Sequence, residues 1–296
     1  MAQHAVEDFE AYRPLLFSIA YRMLGSATEA EDLVQDAYLR YRTAPAEEIR
    51  SPKSYLTTVV TRLAFDQLKS ARVRREQYVG TWLPEPLLTE SDTITPLDTL
   101  EQRESLSFAF LTLLESLSPP ERAVFLLHEV FDFGYDEIAE ALETSAANCR
   151  QILHRAKGHL AARRPRFSPP SAKQRELLQR FIAACTGGDL AALTDLLARD
   201  AVMWGDGGGK AVTILRPVVG ADAVAHVFLG FPRNVPTVAR VEMEEVNGAP
   251  ALLLFENGVL ATVICFAVEN GRIAAIYGAR NPDKLAFIAR QLKQRP

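Results

Sequence analysis

The sequence predicts a multidomain protein. Two all-α helical domains at residues 1–80 and 101–165 are joined by a linker at 81–100, and an α+β domain follows at 171–296. Three observations carry this reading. Apolar residues recur at three- and four-residue spacing through both N-terminal segments, the period of a helix that buries one stripe. Proline clusters break the chain twice, at Pro84, Pro86 and Pro96 and again at 164–170, where the ring locks the backbone and removes a donor. Beyond residue 198 apolar runs are cut by Asn247-Gly248, Asn257-Gly258 and Asn270-Gly271, the strongest short hairpin signal, because both turn residues need positive φ.

The first helix carries Phe9, Tyr12, Leu16, Ile19 and Met23 on one stripe. Thr28 and Glu31, three apart, resemble a capping box for a second helix with Leu33, Val34, Ala37, Tyr38 and Tyr41 inward. Ser51-Pro52 opens a third, with Ser as cap and Pro at its first position, and its stripe is Leu56, Val59, Val60, Leu63 and Ala64. Residues 76–100 lose periodicity. From 101 to 164 the helical pattern returns, with Ser118-Pro119-Pro120-Glu121 as a further helix start. Two more helices are expected at about 172–185 and 189–198. Three Asn-Gly turns at close spacing then predict a four-stranded antiparallel meander with helices on one face.

A net charge of −4 argues at first against nucleic acid, but the charges are sorted into blocks. Arg62 to Arg75 holds five basic residues and one acid, and Arg150 to Arg166 six Lys/Arg and no acid, whereas Glu76 to Cys149 holds fifteen acids and two arginines. Two basic patches on an acidic chain suit local phosphate contact without wholesale adhesion to polyanions. Cys149, Cys185 and Cys265 are odd in number and far apart, which excludes a disulfide framework and a four-cysteine zinc site; each reads as a small core residue. No metal and no cofactor is expected. No apolar run is long enough to span a bilayer and the acidic N-terminus lacks a signal core, so the expectation is a cytoplasmic protein with no membrane partner.

The segment 135–160 reads as a helix–turn–helix. Tyr135 to Leu142 forms a short amphipathic helix with Ile138, Ala139 and Leu142 inward, 143–146 a tight turn, and the following residues a longer helix with Cys149, Ile152, Leu153, Ala156 and Leu160 inward. That leaves Arg150, Gln151, His154 and Arg155 outward. A recognition helix places its N-terminal residues at base edges in the major groove, where Arg addresses guanine and Gln adenine in bidentate fashion. The alternative is a plain helical hairpin with a basic face. At 28–42 the polar face offers Asp32, Gln35 and Asp36, charges that also suit a helix dipole. At 51–80 a basic edge of Arg62, Lys69, Arg72, Arg74 and Arg75 lies near Tyr55, Phe65 and Tyr78. Melted DNA needs such a groove for its backbone and aromatic surfaces for unstacked bases; Phe65 reads more simply as core.

The order of these segments resembles an extracytoplasmic-function sigma factor, the small type with regions 2 and 4 only. Residues 9–42 are similar to regions 2.1 and 2.2, 51–80 to regions 2.3 and 2.4, and 101–164 to region 4. Three strings, Trp82-Leu83-Pro84-Glu85-Pro86, Asp206-Gly207-Gly208-Gly209-Lys210 and Asn281-Pro282-Asp283-Lys284-Leu285, resemble the subgroup that carries a C-terminal SnoaL-like domain, a nuclear-transport-factor-2-like cone. The resemblance implies that Asp32, Gln35 and Asp36 bind core RNA polymerase and that region 2 captures and melts the −10 element. It implies that region 4 reads the −35 element of promoter DNA through Arg150, Gln151, His154 and Arg155.

The strings also have plain readings. Trp82 and Pro84 belong either to a stiff spacer or to a docking site for the C-terminal domain. Asp206 and Lys210 flank a loop that lacks the glycine spacing and the Ser/Thr of a phosphate loop; it is either a simple connection or reaches the sigma part. Asn281 or Asp283 caps a helix at 284–293, or joins Lys284 in interdomain contact. The regulatory version has the C-terminal domain contacting the sigma domains in cis, with no separate anti-sigma factor required. His226 sits on a surface helix, and Trp204, Asp206 and Tyr277 supply no acid–base dyad, so no catalytic residue and no enzyme activity are expected. The competing functions are a ligand-responsive helix–turn–helix repressor and a SnoaL-type enzyme with a regulatory helical half.

Overall fold

The computed structural model describes residues 2–45, 49, 51–89, 100–161, 171–234 and 238–295, in two compact units. The first is helical: α1 (Ala2–Leu24), α2 (Ala27–Thr43), α3 (Pro52–Glu76), α4 (Leu100–Leu106), α6 (Pro119–Glu129), α7 (Tyr135–Ala141) and α8 (Ala146–Ala161). The second takes the segment from Tyr78 through Thr89, the stretch Leu106–Thr112, which includes most of α5 (Phe108–Leu114), and the described residues from Ser171 onward.

In the helical unit Leu16, Ile19, Ala20, Met23 and Leu24 of α1 are fully buried, as are Ala27, Ala30 and Ala37 of α2 and Leu56, Val60 and Ala64 of α3. These are the faces that the apolar period marks. The cap of α2 differs from expectation: Ser26, not Thr28, is N-cap, and its hydroxyl accepts from Glu29 N at 3.1 Å. Gly25 at φ +67 ends α1 immediately before it, and the helix begins two residues earlier than the Thr-Glu spacing suggests. The expected cap before α6 is present, with Glu121 accepting from Ser118 N at 3.0 Å. Hydrogen bonds from Ser118 outweigh burial and hold the Glu121 carboxyl below its usual range.

A polar network, not apolar packing alone, joins α1 and α3 to α4, Glu115 and α6. Arg22 and Arg122 are both buried. Arg22 Nε donates to Ser105 Oγ at 3.1 Å, Arg122 Nη2 donates to Arg22 O at 3.0 Å, and Glu115 pairs with both Arg122 and Arg75. Burial lowers the Arg22 guanidinium to about 10, which leaves it charged at neutral pH.

The second unit is built on α9 (Ser171–Gly187), α10 (Leu190–Leu196), β1 (Leu197–Asp206), β2 (Val218–Val219), α11 (Ala221–Asn234), β3 (Val238–Val246), β4 (Ala249–Glu256), β5 (Val259–Glu269), β6 (Arg272–Ala279) and α12 (Pro282–Lys293). The meander β3–β6 is present and antiparallel, with Asn247, Asn257 and Asn270 all at φ near +50° in its turns. The sheet is larger than expected. Its order is β2-β1-β6-β5-β4-β3, with β1 parallel to β6.

Both faces of this sheet are covered, where the sequence predicts helices on one. Leu252, Leu254, Ile264, Phe266 and Ile276 meet α9–α11, with Phe181 edge-on to Phe228 at 4.9 Å and to Phe266 at 5.5 Å. The alternate residues Ala251, Leu253, Phe255, Val263, Cys265 and Tyr277 meet Leu285 and Ile288 of α12, together with Leu83, Leu88 and Phe108. Strand side chains alternate between faces, so a strand buried on both sides reads as one continuous apolar run, as Ala251 to Phe255 does.

Candidate nucleic-acid and polymerase interfaces, and a grip on the linker

Three groups of side chains stand out, and each is set by the element that carries it. On α8 the inward residues Cys149, Ile152, Leu153, Ala156 and Leu160 are buried, and Arg150, Gln151, His154 and Arg155 are exposed on the opposite face. The helix is capped by Ser145, whose hydroxyl accepts from Asn148 N at 3.2 Å, and the turn before it is closed by Glu143 at φ +53. Leu142 is half-buried rather than fully inward, and Ala141 takes its place. The Arg150 guanidinium lies 4.9 Å from the centre of the Tyr135 ring, and that ring stacks on His128 at 4.4 Å. An arginine resting on an aromatic face keeps its planar fork oriented while its donors remain outward.

On α2, Asp32, Gln35 and Asp36 are exposed opposite buried Leu33, Val34 and Ala37. Leu39, 49% exposed, extends the same face by one turn. The result is an acidic face with one unburied leucine.

The basic edge of α3 divides. Lys69 is exposed, bonded to Asp66 at 3.0 Å and 3.9 Å over the Phe65 ring; Phe65 is half-buried. Arg62 donates to the carbonyls of Glu140 at 2.9 Å and Ala141 at 3.3 Å. Those carbonyls end α7, where they lack helical partners and concentrate the negative end of the dipole. Arg75 turns inward to Glu115 and to the Leu24 carbonyl. The side chains of Arg72 and Arg74 lie outside the described residues.

The third group brings together the strings Trp82–Pro86, Asp206–Lys210 and Asn281–Leu285. Asp206 closes β1 and is fully buried. Its carboxylate accepts from Tyr78 OH at 2.6 Å, from Leu83 N at 2.8 Å and from Lys284 Nζ at 2.6 Å. Lys284, also buried, donates to the Leu83 carbonyl and lies 4.0 Å from the centre of the Trp82 ring and 4.8 Å from that of Tyr78. Asn281 is the N-cap of α12, accepting from Asp283 N at 3.1 Å, and its amide donates to Tyr78 OH at 2.8 Å. The cap and the contact are thus one residue. Pro84, Glu85 and Pro86 are buried. Burial and the hydrogen bond to Asp206 push the Tyr78 hydroxyl well above its usual value.

The glycines of 207–209 serve this packing. A Cβ at Gly207 would sit 2.1 Å from Ala211 O, and one at Gly208, at φ +58, 2.2 Å from Asn281 Nδ2. Lys210 lies outside the buried cluster and pairs with exposed Asp283. Trp204 stacks on Tyr277, with ring centres 5.1 Å apart. Tyr78, read from the sequence as an aromatic beside the basic edge of 51–80, spends its hydroxyl on Asp206 and Asn281; sequence reasoning missed Gln291, whose amide exchanges hydrogen bonds with the Leu88 backbone at 3.0 and 3.2 Å. An isolated Gln carries no signal beyond its propensity.

Among the described residues there is no His/Cys/Asp/Glu cluster that could hold a metal, and no helix long and apolar enough to cross a membrane. His226 is exposed on α11, with Nδ1 2.8 Å from the Asp222 carbonyl.

Comparison with known proteins identifies both helical segments. The family models for sigma-70 region 2 and sigma-70 region 4 match residues 9–74 and 107–160. The ECF RNA polymerase sigma factor SigJ of Mycobacterium tuberculosis H37Rv is 38% identical over 98% of this chain and 95% of its own length. The probable ECF RNA polymerase sigma factor SigI of strain CDC 1551 / Oshkosh is 35% identical over 96% and 97%. The crystal structure of M. tuberculosis SigJ superposes with a TM-score of 0.77 at 34% identity, covering 95% of this chain and 98% of that one. The helices, the helix–turn–helix and these matches have one common reading: the chain belongs to the extracytoplasmic-function RNA polymerase sigma factors, which direct transcription initiation.

Proposed function

We propose that this sigma factor docks on core polymerase through Asp32, Gln35 and Asp36, melts the −10 element with α3, reads the −35 element with Arg150, Gln151, His154 and Arg155, and is governed in cis by its C-terminal domain. In this reading no separate anti-sigma factor is needed, the chain performs no catalysis, and it works in the cytoplasm beside polymerase. The observation that carries the cis regulation is the buried Asp206–Lys284 pair closed around Tyr78, Trp82 and Leu83. Those residues directly follow α3. A tethered domain holds such a segment at high effective concentration, so docking is strongly occupied without a second protein. The test is transcription from one selected promoter by full-length protein saturated with core polymerase. Asp206→Asn combined with Lys284→Met should change output with core affinity intact. Unchanged output from a folded double variant refutes regulation by this contact.

A further inference from the structure

The three Asn-Gly turns of the meander share one backbone conformation, with φ of +53, +51 and +51 at Asn247, Asn257 and Asn270. Asn257 and Asn270 are exposed, whereas Asn247 is 1% exposed. Positive φ explains an asparagine in a turn; it does not explain a buried one. A buried primary amide must spend its donors and acceptor on partners, and here those partners are the two ends of the connector between the sigma regions. Asn247 Oδ1 accepts from Leu87 N at 3.0 Å and Nδ2 donates to Leu106 O at 3.0 Å. The backbone repeats the first contact, with Asn247 N donating to Leu87 O at 2.8 Å.

Neighbouring bonds seat the upstream end more firmly. Leu88 forms an antiparallel bridge with Val246, Thr89 N donates to Glu245 O at 3.1 Å, and Gly248 N donates to Thr89 Oγ1 at 2.9 Å. On the downstream side Phe108 packs on Tyr277, with ring centres 5.8 Å apart. Region 2 ends before Leu87, and the region 4 match begins at residue 107. A single amide therefore holds the exit of one promoter-reading region and the entrance of the other.

We infer that Asn247 is a positioning residue for promoter spacing: by clamping Leu87 and Leu106 together it shortens the free connector and narrows the range of −10 to −35 separations that the holoenzyme accepts. The inference rests on the cis-regulatory reading above and adds a distinct residue and a distinct readout. With the clamp closed, Leu87 and Leu106 are held at one amide, so the chain between them cannot lengthen the reach between the regions. With it open, the separation of Leu87 from Leu106 is no longer set by this amide, and a wider range of distances between the regions is accessible.

Asn247→Gly separates the two roles of this position, since glycine takes positive φ freely and keeps the turn while removing the amide. Asn247→Asp is a second variant: it keeps an acceptor for Leu87 N and loses the donor to Leu106 O. Full-length protein with core polymerase is tested on promoters obtained by selection with the unaltered holoenzyme, their spacer then changed in single base-pair steps. The unaltered protein should show a sharp optimum. Both variants should retain that optimum and their −10 and −35 base preferences, but the disfavour of neighbouring spacers should relax by about fivefold, the factor that one buried hydrogen bond is worth. Hydrogen exchange at the amides of 87–89 reports opening of the clamp in the folded variants. If the amides open and spacer selectivity is unchanged, the spacing role is overturned. If Asn247→Gly leaves the amides protected, the clamp itself is overturned. A spacer effect absent here, beside altered output from Asp206→Asn with Lys284→Met, defeats the inference and spares the cis-regulatory reading; failure of both defeats both.

Discussion

Two ion pairs join the end of β1 and the loop after it to the first turn of α12, and they differ in almost everything that decides what a charge is worth. Lys284–Asp206 is buried, its side chains 8% and 0% exposed, and each partner makes further contacts to the linker. Lys210–Asp283 lies 55% and 64% exposed. Both pairs come from the same two sequence strings, so the sequence alone presents them as equals. Burial separates them. In water an ion pair gives back in desolvation and side-chain entropy most of what it gains, whereas a buried pair that loses one partner leaves a charge with no solvent to receive it. The first pair is therefore a structural grip on the segment 78–83, and the second a surface contact.

The sharpest way to break this comparison is Asp206→Ala. It removes the acceptor for Lys284 Nζ, Tyr78 OH and Leu83 N at once, and leaves the buried Lys284 ammonium without its counter-charge. The expected loss is about 3–5 kcal/mol of unfolding free energy, measured by denaturant titration of the full chain, with hydrogen exchange at Leu83 rising in parallel. A loss below about 1 kcal/mol, the level expected of a surface pair, would mean that the grip is not closed in solution. Alkaline pH acts on the same cluster in a known direction. The folded-state Tyr78 hydroxyl titrates above its ordinary value of 10.0, so its contribution is intact below that pH and fades as pH rises through the raised value, where the unfolded chain releases the proton first.

Next in size is the proposed recognition face on α8, whose exposed charges would serve a partner instead of the fold. Arg150→Ala should cost about 1–3 kcal/mol at one base pair of the −35 element and relax preference there, if the fork reads a base. A uniform loss across sequences, with the salt slope smaller by about 1, would mark a phosphate contact instead. Tyr135→Leu should remove part of the same preference, about 0.5–1 kcal/mol, by freeing the guanidinium from its ring; Tyr135→Phe should retain it. Competition binding to a duplex and its single-base variants measures all three.

A smaller effect is expected on α2. Asp32→Ala with Gln35→Ala should weaken core polymerase binding by about 1 kcal/mol, since only a minority of interface residues exceed that value singly. The helical circular-dichroism signal should not change, because neither side chain is buried. Unchanged core affinity would remove this face from the polymerase interface.

What the sequence made legible follows from periodicity. The inward residues of α8 are five out of five where the three-four spacing puts them, and the meander follows from three turns whose backbone conformation few residues adopt. Arg62, Arg75, Arg22 and Arg122 were harder. Nothing in a charged side chain says whether its helix face meets solvent or another helix, and Arg62 ends on the carbonyls of α7 although its neighbours mark a basic edge. The second covered face of the sheet was hidden for a related reason: alternation disappears when both faces are buried. Asn247 is the clearest case. Its dipeptide signals a turn and is identical to two others, and only the position of Leu87 and Leu106, distant in sequence, gives its amide work to do.

The smallest expected effect sharpens the comparison from the other side. Lys210→Ala should cost about 0–1 kcal/mol, and the difference should shrink in high salt, because exposed charges separated by solvent are screened over about a Debye length. Lys210 makes its contact with Asp283 from the tip of a tightly turned loop. Gly207 and Gly208 already fix that loop by close approach to Ala211 and Asn281, so it keeps its shape when the pair is removed. A double-mutant cycle of Lys210→Ala and Asp283→Ala, read by denaturant titration at low and high salt, gives the coupling directly. A salt-insensitive coupling above about 2 kcal/mol would exceed what a solvated pair supplies. It would place this pair in the same class as Lys284–Asp206 and remove burial as the property that tells the two apart.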